Sequence, residues 1–298
     1  MSATRTLIIT ADDFGVSSGV NRAVVEAHGS GVLPSAALAV PTDAAEEAME
    51  IATRDPSLEV GLHLILADRR PVADPGRVAS LVTERGMFAS RGQLLRRALR
   101  GQIHLPEVAI ELGAQLEALE SGGISPAFIN GDQHVHVLPT VRDAVISEAA
   151  RRDIAVRVPN ESVIPTMSGS SGYSSNAKRA MAKTSLRVLA RGFRRRASRA
   201  GVFLNQHFVS PFGFFPSPRF DAGAFVSLLD GTRPGVTELM VHPGYPDAAL
   251  VEFWGTEKEA NEREAELRAL LSAEFAETLA RSGIILTDFR HARNGARS

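Results

Sequence analysis

The chain has 298 residues, of which 44% are hydrophobic and 22% are charged, and its formal net charge is −1. This is ordinary globular composition, and the near-zero charge gives no argument for a nucleic acid or an acidic membrane as partner. The chain contains no cysteine, which excludes disulfides and thiolate metal sites, so any metal must be held by nitrogen and oxygen ligands.

The sequence contains no candidate membrane span, because no segment approaches the roughly 20 apolar residues that a span needs. The first five residues lead directly into an apparent strand, without the apolar region and cleavage site of a signal peptide. We therefore expect a cytoplasmic protein without an integral membrane segment. A homodimer is compatible with this sequence.

Short apolar runs alternate along the chain with amphipathic segments of helical length. The runs predict strands near 6–11, 35–40, 58–65, 126–131, 154–158, 202–209, 236–242 and 283–287. The other segments predict helices near 19–29, 43–53, 91–100, 106–121, 139–151, 178–199, 219–230 and 257–282. This alternation predicts a single domain over residues 1–298, a distorted TIM-like (β/α) barrel of parallel strands with outer helices. An open doubly wound sheet has the same alternation, but no glycine-rich phosphate turn follows the first strand.

Residues 168–200 differ in composition from the rest of the chain. Residues 168–176 are rich in serine and glycine, which predicts a flexible loop. The helical segment that follows, 178–199, contains lysine and arginine but no acidic residue. A solvated helix face is the ordinary interpretation of such a segment, and contact with a polyanion or a lipid headgroup is the alternative.

Acidic residues and histidines end several predicted strands. Asp12 and Asp13 follow the first strand, His63 lies in the third, and His242 ends the seventh. Because the carboxyl ends of parallel strands meet at one edge, we expect these side chains to form one site. Of two such carboxylates, one can bind a cation and the other can take a proton, although an aspartate there can also cap the next helix.

Asp132, His134 and His136 follow the fourth strand at a spacing of i, i+2 and i+4. In an extended chain they would line one face, and together they suit a divalent metal. Arg157 ends the fifth strand, where it can hold an aspartate ionised through a bidentate pair. His242 is a residue type that can give a proton to a leaving group.

These motifs together resemble the YdjC-like carbohydrate deacetylases, a family that includes diacetylchitooligosaccharide deacetylases and the hopanoid-biosynthesis-associated HpnK proteins. The resemblance rests on Ala-Asp-Asp-Phe-Gly, Gly-Leu-His, Asn-Gly-x-x-His-x-His followed by a proline, Arg-x-Pro and the late His-Pro, in this order. It implies a distorted β/α barrel and a metal-dependent hydrolase that removes acetyl groups from N-acetylated sugars. Asp12 would then be the general base, with Asp13 and His63 as metal ligands.

The third ligand of the family is typically a histidine two residues after the position of Asn130, and here that residue is Asp132. Asp132 can replace the histidine, since a carboxylate is a competent ligand for Zn²⁺ and a better one for Mg²⁺. Alternatively, His134 or His136 takes over, or the site is weakened. The sequence leaves the metal as Mg²⁺ or Zn²⁺ and the ligand set as Asp13 and His63 with one of these three residues.

The expected mechanism is metal-assisted hydrolysis of an acetamide, with Asp12 as base, His242 as acid and Arg157 tuning Asp12. The expected substrate is an N-acetylated sugar, either like a chitooligosaccharide or carried on a glycolipid. Two other functions stay open. One is another metal-dependent barrel hydrolase, acting on a phosphoester or a cyclic amide, and the other is a non-catalytic sugar-binding protein with a degenerate site.

Overall fold

The computed structural model describes residues 4–161, 173–214 and 219–297. Within these ranges eight strands occur, one at each predicted run. They are β1 (Arg5–Phe14), β2 (Ser35–Leu38), β3 (Glu59–Leu64), β4 (Phe128–Gly131), β5 (Ala155–Val156), β6 (His207–Val209), β7 (Gly235–Val241) and β8 (Ile285–Thr287).

The strands pair in parallel in the order β5-β4-β3-β2-β1-β7-β6, and β8 pairs with the first half of β1. The two ends of this order meet, because Val156 of β5 bridges Leu204 ahead of β6 and Glu161 bridges Phe208. Consecutive residues of β1, such as Leu7 and Ile8, are fully buried, as expected for strands covered on both faces. The curled parallel sheet confirms the predicted barrel-like fold.

Helices surround this sheet and follow most of the predicted segments. They are α1 (Ser18–Gly29), α2 (Ala45–Arg54), α3 (Arg91–Leu99), α4 (Leu105–Ser121), α5 (Pro139–Arg152), α6 (Tyr173–Arg199), α7 (Pro211–Phe214), α8 (Ala222–Leu228), α9 (Ala248–Trp254), α10 (Glu257–Leu270), α11 (Ala273–Arg281) and α12 (Phe289–Arg297). Among the described residues, none of these helices is long and apolar enough to cross a membrane.

Three helical predictions need correction. The helix expected over 257–282 is two helices, because Ser272 breaks it and its hydroxyl accepts the Phe275 N–H as the N-cap of α11. Residues 173–176 of the expected loop belong to α6, whereas residues 168–172 lie outside the described residues. The short helices α7 and α9 and the strongly basic α12 were not predicted, since each is too short or too polar to give a clear apolar period.

The last helix is tied to the sheet by a buried carboxylate at the amino end of β3. Glu59 Oε2 accepts the Phe289 N–H and Glu59 Oε1 accepts the Arg290 N–H, both at 2.8 Å, in the first turn of α12. Burial, together with the nearby Asp288 carboxylate, raises the pKa of Glu59 to about 7, although these hydrogen bonds oppose the shift. Glu59 therefore carries a stability effect that depends on pH.

At the opposite end of the barrel, β1 is distorted where its two aspartates lie. The pairing of β1 with β2 shifts register between Ala11 and Phe14. Asp13 has a φ of 67°, in the left-handed region that an aspartate tolerates better than most residues. Because the strand alternation is broken there, Asp12 and Asp13 can both point into the same site.

Candidate active site

The Asp12 carboxylate is held by a buried arginine. Arg157, directly after β5, donates from Nη2 to Asp12 Oδ1 at 2.7 Å and from Nη1 to Asp12 Oδ2 at 2.5 Å. Asn130 Nδ2 also donates to Asp12 Oδ1, at 2.9 Å, and Arg157 Nε donates to Glu238 Oε1 of β7, at 2.8 Å. Burial would raise the pKa of Asp12, but the charges of Arg157, His63 and His242 and the hydrogen bonding from Arg157 together outweigh burial and hold that pKa below its usual range.

The hydrogen bonds of Asp12 leave one position on its carboxylate where a proton can be accepted. A carboxylate oxygen has two lone pairs, and Oδ1 uses both of them for Asn130 and Arg157. Oδ2 accepts one hydrogen bond, from Arg157 Nη1. One lone pair on Oδ2 is therefore free to accept a proton from a water molecule.

His63 links Asp13 to the same network. Its Nδ1 lies 2.7 Å from Asn130 Oδ1, and its Nε2 lies 3.3 Å from Asp13 Oδ1. Since the amide nitrogen of Asn130 donates to Asp12, the amide oxygen must accept from His63, which places a proton on Nδ1. Burial would lower the pKa of His63, but its hydrogen bond to Asp13 and the charge of Asp12 raise it to about 9. The two carboxylates thus favour a positive charge at Nε2.

A divalent cation fits this position. Two ligands of a tetrahedral ion, with bonds of about 2.0–2.1 Å, lie about 3.3 Å apart, which is the separation of Asp13 Oδ1 and His63 Nε2. Asp13 Oδ2 is buried and has no hydrogen-bond partner among the described residues. The bond from His63 Nδ1 to Asn130 is the outer contact that ligating histidines usually make. Across the described ranges no three His, Asp or Glu side chains form a complete metal-binding group, so the geometry supports two ligands, Asp13 and His63.

The segment that follows β4 is not extended, and the expected alternation of its side chains is wrong. Residues Asp132–Val137 form a 3-10 helix, with Gln133 and His134 at φ values of 47° and 59°. The chain must turn there because α5 begins at Pro139. Asp132, His134 and His136 therefore do not line one face in the way that an extended chain would place them.

These three residues have different surroundings. Burial raises the pKa of Asp132; the charge of His63 opposes this rise, and the charge of Asp13 adds to it. His136 Nε2 lies 3.0 Å from the carbonyl oxygen of Arg157, and its ring meets His134 edge-on at 6.1 Å between centroids. Burial lowers the pKa of His134 to about 3 and that of His136 well below its ordinary value, which keeps both rings neutral.

His242 follows β7 and faces the same site. The backbone N–H of His242 donates to Glu266 Oε1 at 2.9 Å, and the ring nitrogen Nδ1 lies 3.7 Å from the same oxygen. The imidazole packs edge-on against Phe212 and Trp254, at 5.2 and 5.8 Å between ring centroids. His242 also interacts electrostatically with Asp12, so the expected acid and the expected base share one site.

The structure adds residues to the candidate site that the sequence did not single out. Glu238 is a charged residue inside the apolar run of β7, a signal that could have identified it. Asn130 was treated only as a position in a motif, yet it joins Asp12 to His63. Glu266 and Arg263 of α10 gave no signal, because a helix rich in charged residues ordinarily faces solvent.

Comparison with known proteins identifies relatives over most of the chain. A family model described as YdjC-like protein matches residues 6–281. A carbohydrate deacetylase from Geobacillus stearothermophilus is 33% identical over 287 residues, which cover 96% of this chain and 97% of that protein. A carbohydrate deacetylase from Homo sapiens is 35% identical, over 94% of this chain and 88% of that protein.

Two further matches concern a shorter region and the fold. A chitooligosaccharide deacetylase from Escherichia fergusonii is 34% identical, over 53% of this chain and 61% of that protein. A crystal structure of a proposed cellobiose-phosphate cleavage protein from Enterococcus faecalis V583 superimposes with a TM-score of 0.76 at 23% identity. That superposition covers 97% of this chain and 99% of the other, so the two proteins share their fold.

Proposed function

The chain belongs to the YdjC-like family, and on this basis we propose that it is a carbohydrate N-deacetylase that depends on a divalent metal. The observation that carries the proposal is the division of labour between adjacent carboxylates. Asp12 is fixed by Arg157 with one lone pair free, whereas Asp13 faces His63 Nε2 with a buried oxygen that has no hydrogen-bond partner among the described residues. One carboxylate is thus arranged as a base and the other as a metal ligand.

The proposed metal ligands are Asp13 and His63, with Asp132 as the proposed third and His134 and His136 as neighbours of the site. Among the described residues these three side chains do not form a complete metal-binding group, so Asp132 would have to approach the cation. Asp132 is preferred because its charge interacts with those of His63 and Asp13, whereas His136 Nε2 is bonded to the carbonyl oxygen of Arg157. A set of two carboxylates and one imidazole suits Mg²⁺ or Mn²⁺ as well as Zn²⁺. When bound, the cation would supply Lewis acidity to the acetyl carbonyl and to the attacking water.

The residues of the chain would carry the proton transfers. Asp12 Oδ2 takes a proton from the water while the oxygen of that water attacks the acetyl carbon. Arg157 keeps the Asp12 carboxylate ionised and oriented. His242 then gives a proton to the sugar nitrogen as the carbon–nitrogen bond breaks. The products are acetate and a free amino sugar. Arg157 does not contact the substrate in this scheme and acts through Asp12.

The proposed substrate is an oligosaccharide of N-acetylglucosamine, because relatives bear the names carbohydrate deacetylase and chitooligosaccharide deacetylase. A cytoplasmic location and a homodimer stay proposals. The test is acetate release from N,N′-diacetylchitobiose by the purified protein, before and after chelation and with Mg²⁺, Mn²⁺ or Zn²⁺ added back. We expect chelation to abolish acetate release and one of the cations to restore it.

Three variants locate the activity in the proposed site. Asp12→Asn and His242→Gln should each lower kcat by roughly 10²- to 10⁴-fold, the usual contribution of a general base or acid. His104→Gln is the matched control, because His104 is an exposed histidine whose ring contacts Glu107. Acetate release that survives thorough chelation would contradict the metal role. Release of phosphate from a phosphoester, without acetate release, would favour the other barrel hydrolase.

A further inference from the structure

Glu266 is a fully buried carboxylate beside the proposed general acid. Its Oε1 accepts the backbone N–H of His242 at 2.9 Å and lies 3.7 Å from Nδ1 of the same residue. A buried carboxylate is costly unless opposite charge and hydrogen bonds compensate it. Glu266 therefore needs a cation, and that cation lies one turn earlier on α10.

The cation is Arg263, whose Nη1 lies 3.3 Å from Glu266 Oε2. Its guanidinium carbon is 4.9, 5.7 and 4.7 Å from the ring centroids of Phe212, Phe220 and Trp254. Such cation–aromatic contacts stabilise a desolvated guanidinium. Phe212 and Trp254 are also the two rings that pack against His242, so one set of contacts holds both the histidine and the arginine.

We propose that Glu266 is a positioning residue for the proposed acid, with Arg263 holding Glu266 in place. This inference rests on the proposed function, in which His242 protonates the leaving nitrogen. His242 Nδ1 is buried and has no hydrogen-bond partner among the described residues, and the charge of the carboxylate 3.7 Å away favours a proton on it. Nε2 is then the nitrogen that meets the substrate.

The proton balance is simple. In the reactive state both ring nitrogens carry a proton and the imidazolium faces the Glu266 carboxylate. The Nε2 proton moves to the sugar nitrogen, which takes the electron pair of the breaking carbon–nitrogen bond. His242 is left neutral with its proton on Nδ1, beside Glu266.

The proposed base and the proposed acid each face a buried side chain of opposite charge, which is itself paired with a second charged side chain. Asp12 is backed by Arg157, and Arg157 in turn by Glu238. His242 is backed by Glu266, and Glu266 in turn by Arg263. Each reacting group thus faces an opposite charge that is itself compensated, so neither support is left as an isolated buried ion. Asp12 of β1 and the His134 ring also interact electrostatically with His242.

Glu266→Gln is the decisive substitution, because an amide oxygen can still accept the His242 N–H while the negative charge is lost. We expect kcat for acetate release to fall about 10- to 100-fold, a part of the roughly 10²- to 10⁴-fold contribution of a general acid. KM should change little. Glu266→Asp keeps the charge and should recover part of kcat.

The matched control is Glu264→Gln, which removes a partly exposed carboxylate paired with Arg268 on the same helix. It should leave kcat and the pH profile unchanged. A fall in kcat in Glu266→Gln while the neutral His242 ring keeps its proton on Nδ1 would show a merely structural role and overturn the proposal. The melting temperature of each variant establishes that it is folded.

Nitrogen-15 NMR of histidine-labelled protein measures which ring nitrogen of His242 carries the proton, and it needs no substrate. In wild-type protein the neutral His242 ring should carry its proton on Nδ1, and in Glu266→Gln this preference should weaken. A proton on Nε2 in the wild-type protein would overturn the proposal even if Glu266→Gln failed to fold. If the wild-type protein released no acetate, the proposed function would fail, while the NMR comparison would still decide whether Glu266 controls His242.

Discussion

Arg157 binds both carboxylate oxygens of Asp12, at 2.5 and 2.7 Å, and both side chains are buried. The pair joins the end of β1 to the residue after β5, on opposite sides of the barrel mouth. A bidentate guanidinium–carboxylate pair fixes orientation as well as charge. Breaking it would leave an uncompensated buried charge, which costs about 3–5 kcal/mol.

Arg157→Lys should separate orientation from charge. The ammonium keeps the positive charge but cannot form the two parallel hydrogen bonds. We expect kcat to fall about 10- to 100-fold, because the free lone pair of Asp12 is no longer oriented towards the attacking water. Since Arg157 lowers the pKa of Asp12, a weaker contact raises that pKa and moves the acidic limb of the pH–rate profile to higher pH. An unchanged profile measured by acetate release would contradict this role.

Asp132→Ala should lower the bound metal as much as His63→Ala does, measured by elemental analysis of the purified proteins. Asp43→Ala is the control, because Asp43 is an exposed aspartate outside the ligand set. Full metal occupancy in Asp132→Ala would rule out Asp132 as a ligand. Asp132→His, which restores the residue typical of the family, should shift the preference from Mg²⁺ towards Zn²⁺, because imidazole suits Zn²⁺ better.

Stability should fall as the pH rises through the titration of Glu59. The pKa of Glu59 is about 7 in the folded chain and 4.5 in the reference state, so between these values the folded state holds a proton that the unfolded state has released. The free energy of unfolding therefore decreases with pH in this window, by up to about 1.4 kcal/mol per pH unit from this group.

Denaturant unfolding at pH 5 and pH 8 measures this slope. Glu59→Gln should flatten it relative to the wild-type protein, because the amide does not titrate. Glu274→Gln removes an exposed carboxylate on α11 and should leave the slope unchanged. Parallel profiles for the wild-type protein and Glu59→Gln would show that Glu59 is not the source.

Gly61→Ala should destabilise the barrel, because a Cβ there would lie 2.6 Å from the Phe128 ring. That ring stacks on Phe289 at 4.5 Å between centroids, which limits its retreat. We expect a loss of about 1–3 kcal/mol, as for overpacked cores. Gly113→Ala is the opposite case, since nothing lies within 4 Å of its added Cβ on α4. Alanine there should stabilise the protein by about 0.5–1 kcal/mol, measured in the same unfolding experiment.

The sequence determined the strands, most of the helices and the residues that end β1, β3 and β7, because apolar period and strand-end polarity are local properties. Local pattern failed for residues 132–137. There, connecting β4 to a helix that begins at Pro139 required a tight turn, and it overrode the expected extended chain.

Only the tertiary structure decided which groups share the site. Asp12 and Arg157 are 145 residues apart, and His242 and Glu266 lie on different elements. Their contacts depend on the order in which the strands curl and on where α10 packs, and no local spacing encodes either. The electrostatics follow the same rule, because burial and distant charges shift the pKa values of Asp12 and His63 only once the chain has folded.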